Sequence, residues 1–275
     1  MKPPREHDLG LEYDLGTLRR RKVLSLFAGA GLVALAGCSP DSSTTSSPSA
    51  TPSATGSTST TPSTSTAGVD EIPGETAGPY PGDGSNGPNV LTESGIVRSD
   101  ITKSFGSASG TATGVPLTVE LTILDADKDT PLTGAAVYVW HCDAQGRYSL
   151  YSDGVTNENY LRGVQATDAD GKVTFTTIFP AAYPGRWPHI HFEVYASLSD
   201  ATAAGKISAT SQLAFPENVC HAVYGTEGYD GSAENMRRTS LADDNVFGDD
   251  DGVHQLATVA GDAVQGYTAK LDVGV

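Results

Sequence analysis

From residue 116 onward, apolar and polar residues alternate nearly without a break, and no other feature of the chain restricts its fold so strongly. The segments PLTVELTILDA (116–126), AAVYVWHCDA (135–144), KVTFTTIF (172–179), HIHFEVYA (189–196), ISATSQLAF (207–215) and YTAKLDVGV (267–275) are rich in Val, Ile, Thr, Tyr and Phe. Side chains alternate faces along a strand, so a period of two predicts strands with one buried face. Turn signals separate them, among them DADKDTPLTG, DADGK and PAAYPG. Only PENVCHAVYG reads as a short helix. The expectation is an all-β fold, a β-sandwich core with long loops and one short helix, without internal repeats.

The first 68 residues belong to no such pattern. LRRRKVLSLFAGAGLVALAGC joins a cluster of cations to an apolar run from Val23 to Ala36 and then to small residues ending at Cys38. The run is too short to span a bilayer comfortably, so residues 1–37 read as an export signal rather than a buried helix. Arg20 and Arg21 look like a twin-arginine pair, and LAGC looks like a lipoprotein box. On that reading Cys38 carries lipid, and the protein is tethered to the outer face of the plasma membrane without spanning it. Residues 38–68 are almost wholly Ser, Thr, Pro, Ala and Gly and cannot offset the entropy of ordering, which predicts a disordered stalk. Residues 69–275 suffice for one domain with a substantial core.

The chain carries a net charge of −16, and without residues 1–37 it has 11 basic against 29 acidic residues, a net −18. Such acidity argues against nucleic acid or anionic lipid as a partner of the domain, whose contact with a membrane is then the lipid anchor alone. A stalked domain fits a monomer or a small homo-oligomer. With Cys38 assigned to lipid, two cysteines remain, and outside the cytoplasm that parity suggests a Cys142–Cys220 disulfide, with two buried thiols as the alternative.

His189 and His191 are two apart in a predicted strand, so both imidazoles point the same way. They share either a metal or a polar stripe facing water. Tyr148 and Tyr183 lie in loops beside polar turns, where ordinary edge aromatics are also expected. If they converge with the histidines, two nitrogens and two phenols suit ferric iron: zinc more often takes Cys or a carboxylate, and a ferrous facial triad wants Asp or Glu. Asp168 and Asp170 read as turn formers, His141 and His221 as structural, and Gly163 as a close approach. No nucleotide-binding glycine loop stands in a strand-to-helix setting, so no cofactor beyond iron is indicated.

ETAGPYP, VYVWHCDAQGRYS, YLRGVQATDADGKVTFTTIFPAAYPGRWPHIHFEVY and TSQLAFP resemble the intradiol ring-cleavage dioxygenases, the family of catechol and protocatechuate dioxygenases. The likeness runs from about Glu75 to Pro216 and centres on a long composite motif closed by HIH. It implies a non-haem Fe(III) held by Tyr148, Tyr183, His189 and His191, with Tyr183 the displaceable tyrosinate. It further implies Arg186 facing the bound ring, Gln212 beside the pocket, and Tyr80 in the pocket wall. The implied reaction opens a catechol-type ring with O2 to a muconate-type diacid. Only five residues separate Tyr183 from His189, a shorter wall than many relatives carry. Two other classes remain open at this level: a sandwich module that binds an aromatic or glycan without turnover, and a surface lipoprotein that sequesters ferric catecholates.

Overall fold

A computed structural model describes residues 68–203 and 205–275. The expected signal, the lipid-bearing Cys38 and the stalk up to residue 67 lie outside those residues. Among the described residues, nine strands form two sheets of an all-β sandwich. The first contains β1 (Pro116–Asp125), β2 (Thr130–Pro131), β5 (Lys172–Ile178), β8 (Thr258–Asp262) and β9 (Gly266–Gly274); its path runs β2-β1-β9-β8, with β5 also antiparallel to β1. The second runs β4-β3-β6-β7, from β3 (Ala136–Trp140), β4 (Arg162–Ala166), β6 (His189–Tyr195) and β7 (Ile207–Ala214). Strands β1 and β9, the first and last strands, pair in parallel from Leu117↔Tyr267 to Leu124↔Gly274.

The two sheets differ in what covers them. In β1, Leu117, Val119, Leu121 and Ile123 are buried while their neighbours are partly exposed, the ordinary pattern of a strand with one wet face. All residues of β3 and β6 are buried. The second sheet is therefore covered on both faces, and the alternate polar residues of HIHFEVY do not form a stripe facing water. Residues 72–91 form a strap over that outer face: Glu75 N–H donates to Thr210 O, Thr76 O accepts from Gln212, and Pro81 O accepts from the Tyr138 hydroxyl. Register then puts Arg162, Trp140, His191 and Gln212 opposite one another in a single row across all four strands.

Among the described residues there are three short helices where one was expected: α1 (Leu198–Thr202), α2 (Glu217–Tyr224) and α3 (Ser232–Met236). The expected helix is α2; α1 is a single turn capped by the Ser197 hydroxyl on Asp200 N–H. Strands β4 and β8 come from segments that do not alternate cleanly. The Cys142–Cys220 bridge is not formed, and both cysteines are buried free thiols. Each sulfur turns to a carbonyl instead, Cys142 Sγ to Ala181 O at 3.6 Å and Cys220 Sγ to Phe215 O at 4.0 Å. Gly163 does mark a close approach, since a Cβ there would stand 2.5 Å from Ile101 Cγ2.

Candidate metal centre

β6 begins at His189 directly after the Arg186–Trp187–Pro188 turn, and its pleat sends His189 and His191 to the covered face. Their Nε2 atoms are 3.1 Å apart. Tyr183, on the loop after β5, brings its hydroxyl to 3.0 Å from His189 Nε2, and the Tyr148 hydroxyl is 3.4 Å from that of Tyr183. All four residues expected as ligands thus converge at one place. Donors roughly 2.1 Å from a shared centre stand about 3.0 to 3.4 Å from one another, so these separations suit a single ion. Among the described residues no cluster of three His, Cys, Asp or Glu side chains could hold a metal, so a metal here depends on the phenols.

The protonation states agree with that donor set. His189 Nδ1 faces Trp187 O at 2.5 Å, which makes it the protonated nitrogen and leaves the Nε2 lone pair toward the other donors. Burial, then the Arg186 charge, holds the His189 pKa well below the usual imidazole range; burial, then His189, does the same for His191. Both imidazoles are neutral. The His191 ring stacks on Trp140 with centroids 4.9 Å apart and planes 9° from parallel. Burial, with Tyr183 next, pushes the Tyr148 phenol well above its ordinary value, so this side chain becomes an anion only when a strong Lewis acid binds it.

Around the donors, Arg186 is buried, with 3% of its surface exposed. Its Nη2 donates to Gln212 Oε1 at 2.7 Å, and Gln212 Nε2 donates to Thr76 O at 2.9 Å, so the two expected pocket residues touch each other and the strap. Burial opposes the Arg186 charge, but Tyr183 and then Asp244 outweigh it and raise its pKa. Tyr80 packs on Tyr148 with centroids 4.8 Å apart. Gly78, at φ +70°, lies so close that a Cβ would meet His191 Cε1 at 3.3 Å, which explains the glycine in TAGPY.

Sequence reading missed two neighbours, Asp244 and Phe247. Asp244 Oδ2 accepts from Arg186 Nε at 3.0 Å, and the Phe247 ring lies 5.9 Å from the Arg186 guanidinium and 6.5 Å from the His189 ring. They sit in LADDNVFGDD, where nothing in spacing separates one aspartate from the others. The residues expected to be structural behave so. His141 is satisfied on both nitrogens by Cys142 O and Thr177 Oγ1, His221 pairs with Glu217 on the surface, and Asp168 accepts from the backbone of Asp170 and Lys172.

Comparison with known proteins adds an independent line. A family model described as Dioxygenase matches residues 86–218. Chlorocatechol 1,2-dioxygenase of Rhodococcus opacus is 39% identical over 54 residues, 20% of this chain and 21% of that protein. The protocatechuate 3,4-dioxygenase beta chain of Burkholderia cepacia is 34% identical over 112 residues, 37% of this chain and 47% of that one. The chain therefore spans under half the length of these relatives. A solved intradiol ring-cleavage dioxygenase from Tetranychus urticae superimposes with a TM-score of 0.60 at 26% identity, covering 74% of this chain and 94% of that one.

Proposed function

We propose that the chain is an intradiol ring-cleavage dioxygenase that opens a catechol-type ring with O2, using Fe(III) held by Tyr148, Tyr183, His189 and His191. The observation that carries this reading is the convergence of two neutral imidazoles and two phenols, with edges of 3.0 to 3.4 Å, beside a buried arginine. When bound, ferric iron supplies the Lewis acidity that ionises the phenols and a chelating catechol at neutral pH and brings the electron-rich ring into reaction with O2. Both oxygen atoms enter the product, a muconate-type diacid, as the ring breaks between its two hydroxyl-bearing carbons.

The chain's own residues do the rest. Tyr183 is half-buried whereas Tyr148 is 2% exposed, so Tyr183, once ionised, would be the one to take a catechol proton at its phenolate oxygen. Arg186, aimed by Gln212, stabilises negative charge that develops on the ring, in a setting dry enough for that charge to count. Tyr80, packed on Tyr148, would wall the bound ring. Tyr148, His189 and His191 would hold the ion.

The test records the visible and ultraviolet spectrum of the iron-loaded protein as catechol, then hydroxyquinol, is added in air. A tyrosinate band that shifts on mixing and returns as a muconate-type absorbance grows supports the proposal. A shifted band that persists means a protein that sequesters ferric catecholates. A colourless protein that takes up no iron leaves a binding module.

A further inference from the structure

Resting on the dioxygenase reading above, we propose that Asp244 is a positioning residue for ring opening, acting through Arg186. It lies beyond residues 86–218, the part matched by the family model, and reaches the site from a loop 58 residues after Arg186. Its side chain is fully buried in a salt bridge with Arg186.

Every lone-pair direction of the carboxylate is used. Oδ2 accepts the Arg186 Nε–H at 3.0 Å and the Trp187 backbone N–H at 2.6 Å. Oδ1 accepts the backbone N–H groups of Val246 at 2.8 Å and Phe247 at 3.2 Å. One group thereby fixes three things that face the donor cluster. It supplies the counter-charge without which a buried guanidinium is not tolerated. It holds the backbone N–H of Trp187, the residue whose carbonyl accepts the hydrogen bond from His189 Nδ1. It starts the tight turn that sets the Phe247 ring against both Arg186 and His189.

An arginine side chain has many rotamers, and its charge lowers a barrier only if it already points where charge develops. Gln212 on Nη2 and Asp244 on Nε together leave Arg186 one orientation. The carboxylate need not touch substrate; its contribution passes through the guanidinium.

The experiment compares the iron-loaded wild type with Asp244→Asn, Arg186→Gln and the double variant. It measures kcat, iron content and anaerobic catechol affinity from the visible band, and follows exchange of the Arg186 Nε–H in the metal-free protein by 15N NMR. Asp244→Asn is expected to lower kcat about 100-fold with iron content unchanged and catechol affinity altered less than about threefold. In the Arg186→Gln background the same change should cost less than about threefold more, because a residue acting through Arg186 has nothing left to act on. Equal losses in both backgrounds, or wild-type kcat in Asp244→Asn, overturn the proposal.

If Asp244→Asn does not fold, with Arg186 left buried and unpaired, the comparison of Arg186→Gln with the double variant decides alone: equal turnover supports the proposal and a further drop overturns it. A wild type that binds catechol without turnover sinks the dioxygenase reading by itself. The positioning claim is then read from the Nε–H signal, which supports it if slow to exchange in the wild type and fast in Asp244→Asn, and overturns it if fast in both.

Discussion

Single side chains in this site are assigned by the partner each one lacks or keeps. Tyr183 is the less buried phenol, so Tyr183→Phe should retain iron on the other three donors, lose part of the tyrosinate band, and turn over at least about 100-fold more slowly, as a spectrum and a kcat measurement on one sample would show. A second residue gives a prediction independent of metal. Burial, with Asp249 next, raises the Glu75 carboxyl to about 7. The folded state favours its neutral form, so this contribution is present below pH 4.5 and is lost as pH rises through about 7. The group is partly exposed, and solvent screening reduces the effect to on the order of 1 kcal/mol. Thermal unfolding of Glu75→Gln should match the wild type near pH 4 and exceed it at pH 8; an unchanged difference between the two pH values refutes the assignment. Residues of this kind are only half legible in a sequence. The HIH pair and both tyrosines stand out by type and spacing. Asp244 does not, because four other aspartates lie within seven residues of it and only the fold selects the one that meets Arg186.

Elements were legible where one face is wet. β1, β5 and β9 show the period of two because water lies on one side. β6 shows it too but for another reason: its polar positions face a covered donor cluster, so the same pattern described the strand correctly and its surroundings wrongly. β4, RGVQA, and β8, TVAGD, carry glycine and polar residues at positions where a strand signal needs bulk. The cysteine parity failed for a related reason, since counting thiols says nothing about where each sulfur turns. The strap over the second sheet is the element whose importance only the structure shows. Arg162 donates to Tyr80 O, Pro81 O, Ser149 O and Oγ, and the Tyr138 hydroxyl, tying the strap to the loop that bears Tyr148. Arg162→Leu leaves several buried acceptors unpaired at about 1 to 3 kcal/mol apiece. Limited proteolysis should then cut within residues 74–90 well before the rest of the domain, whereas the wild-type strap resists.

At the scale of the whole molecule, the export signal and Cys38 remain proposals with a direct test. If Cys38 carries the lipid, Cys38→Ala releases the protein from the membrane fraction into the medium with turnover intact; a variant that stays with the membrane rules the anchor out. The other prediction at this scale comes from the parallel pairing of β1 with β9. β9 lies between β1 and β8, so the middle of one sheet is supplied by the last strand of the domain. Deleting residues 266–275 should abolish cooperative unfolding altogether rather than lower its midpoint, as circular dichroism would show. During translation the consequence is one of timing: the sandwich cannot close until residues 266–274 have left the ribosome. A chain halted before β9 keeps β1 and β8 apart with unpaired edges, an open sheet exposed to proteases and to other strands.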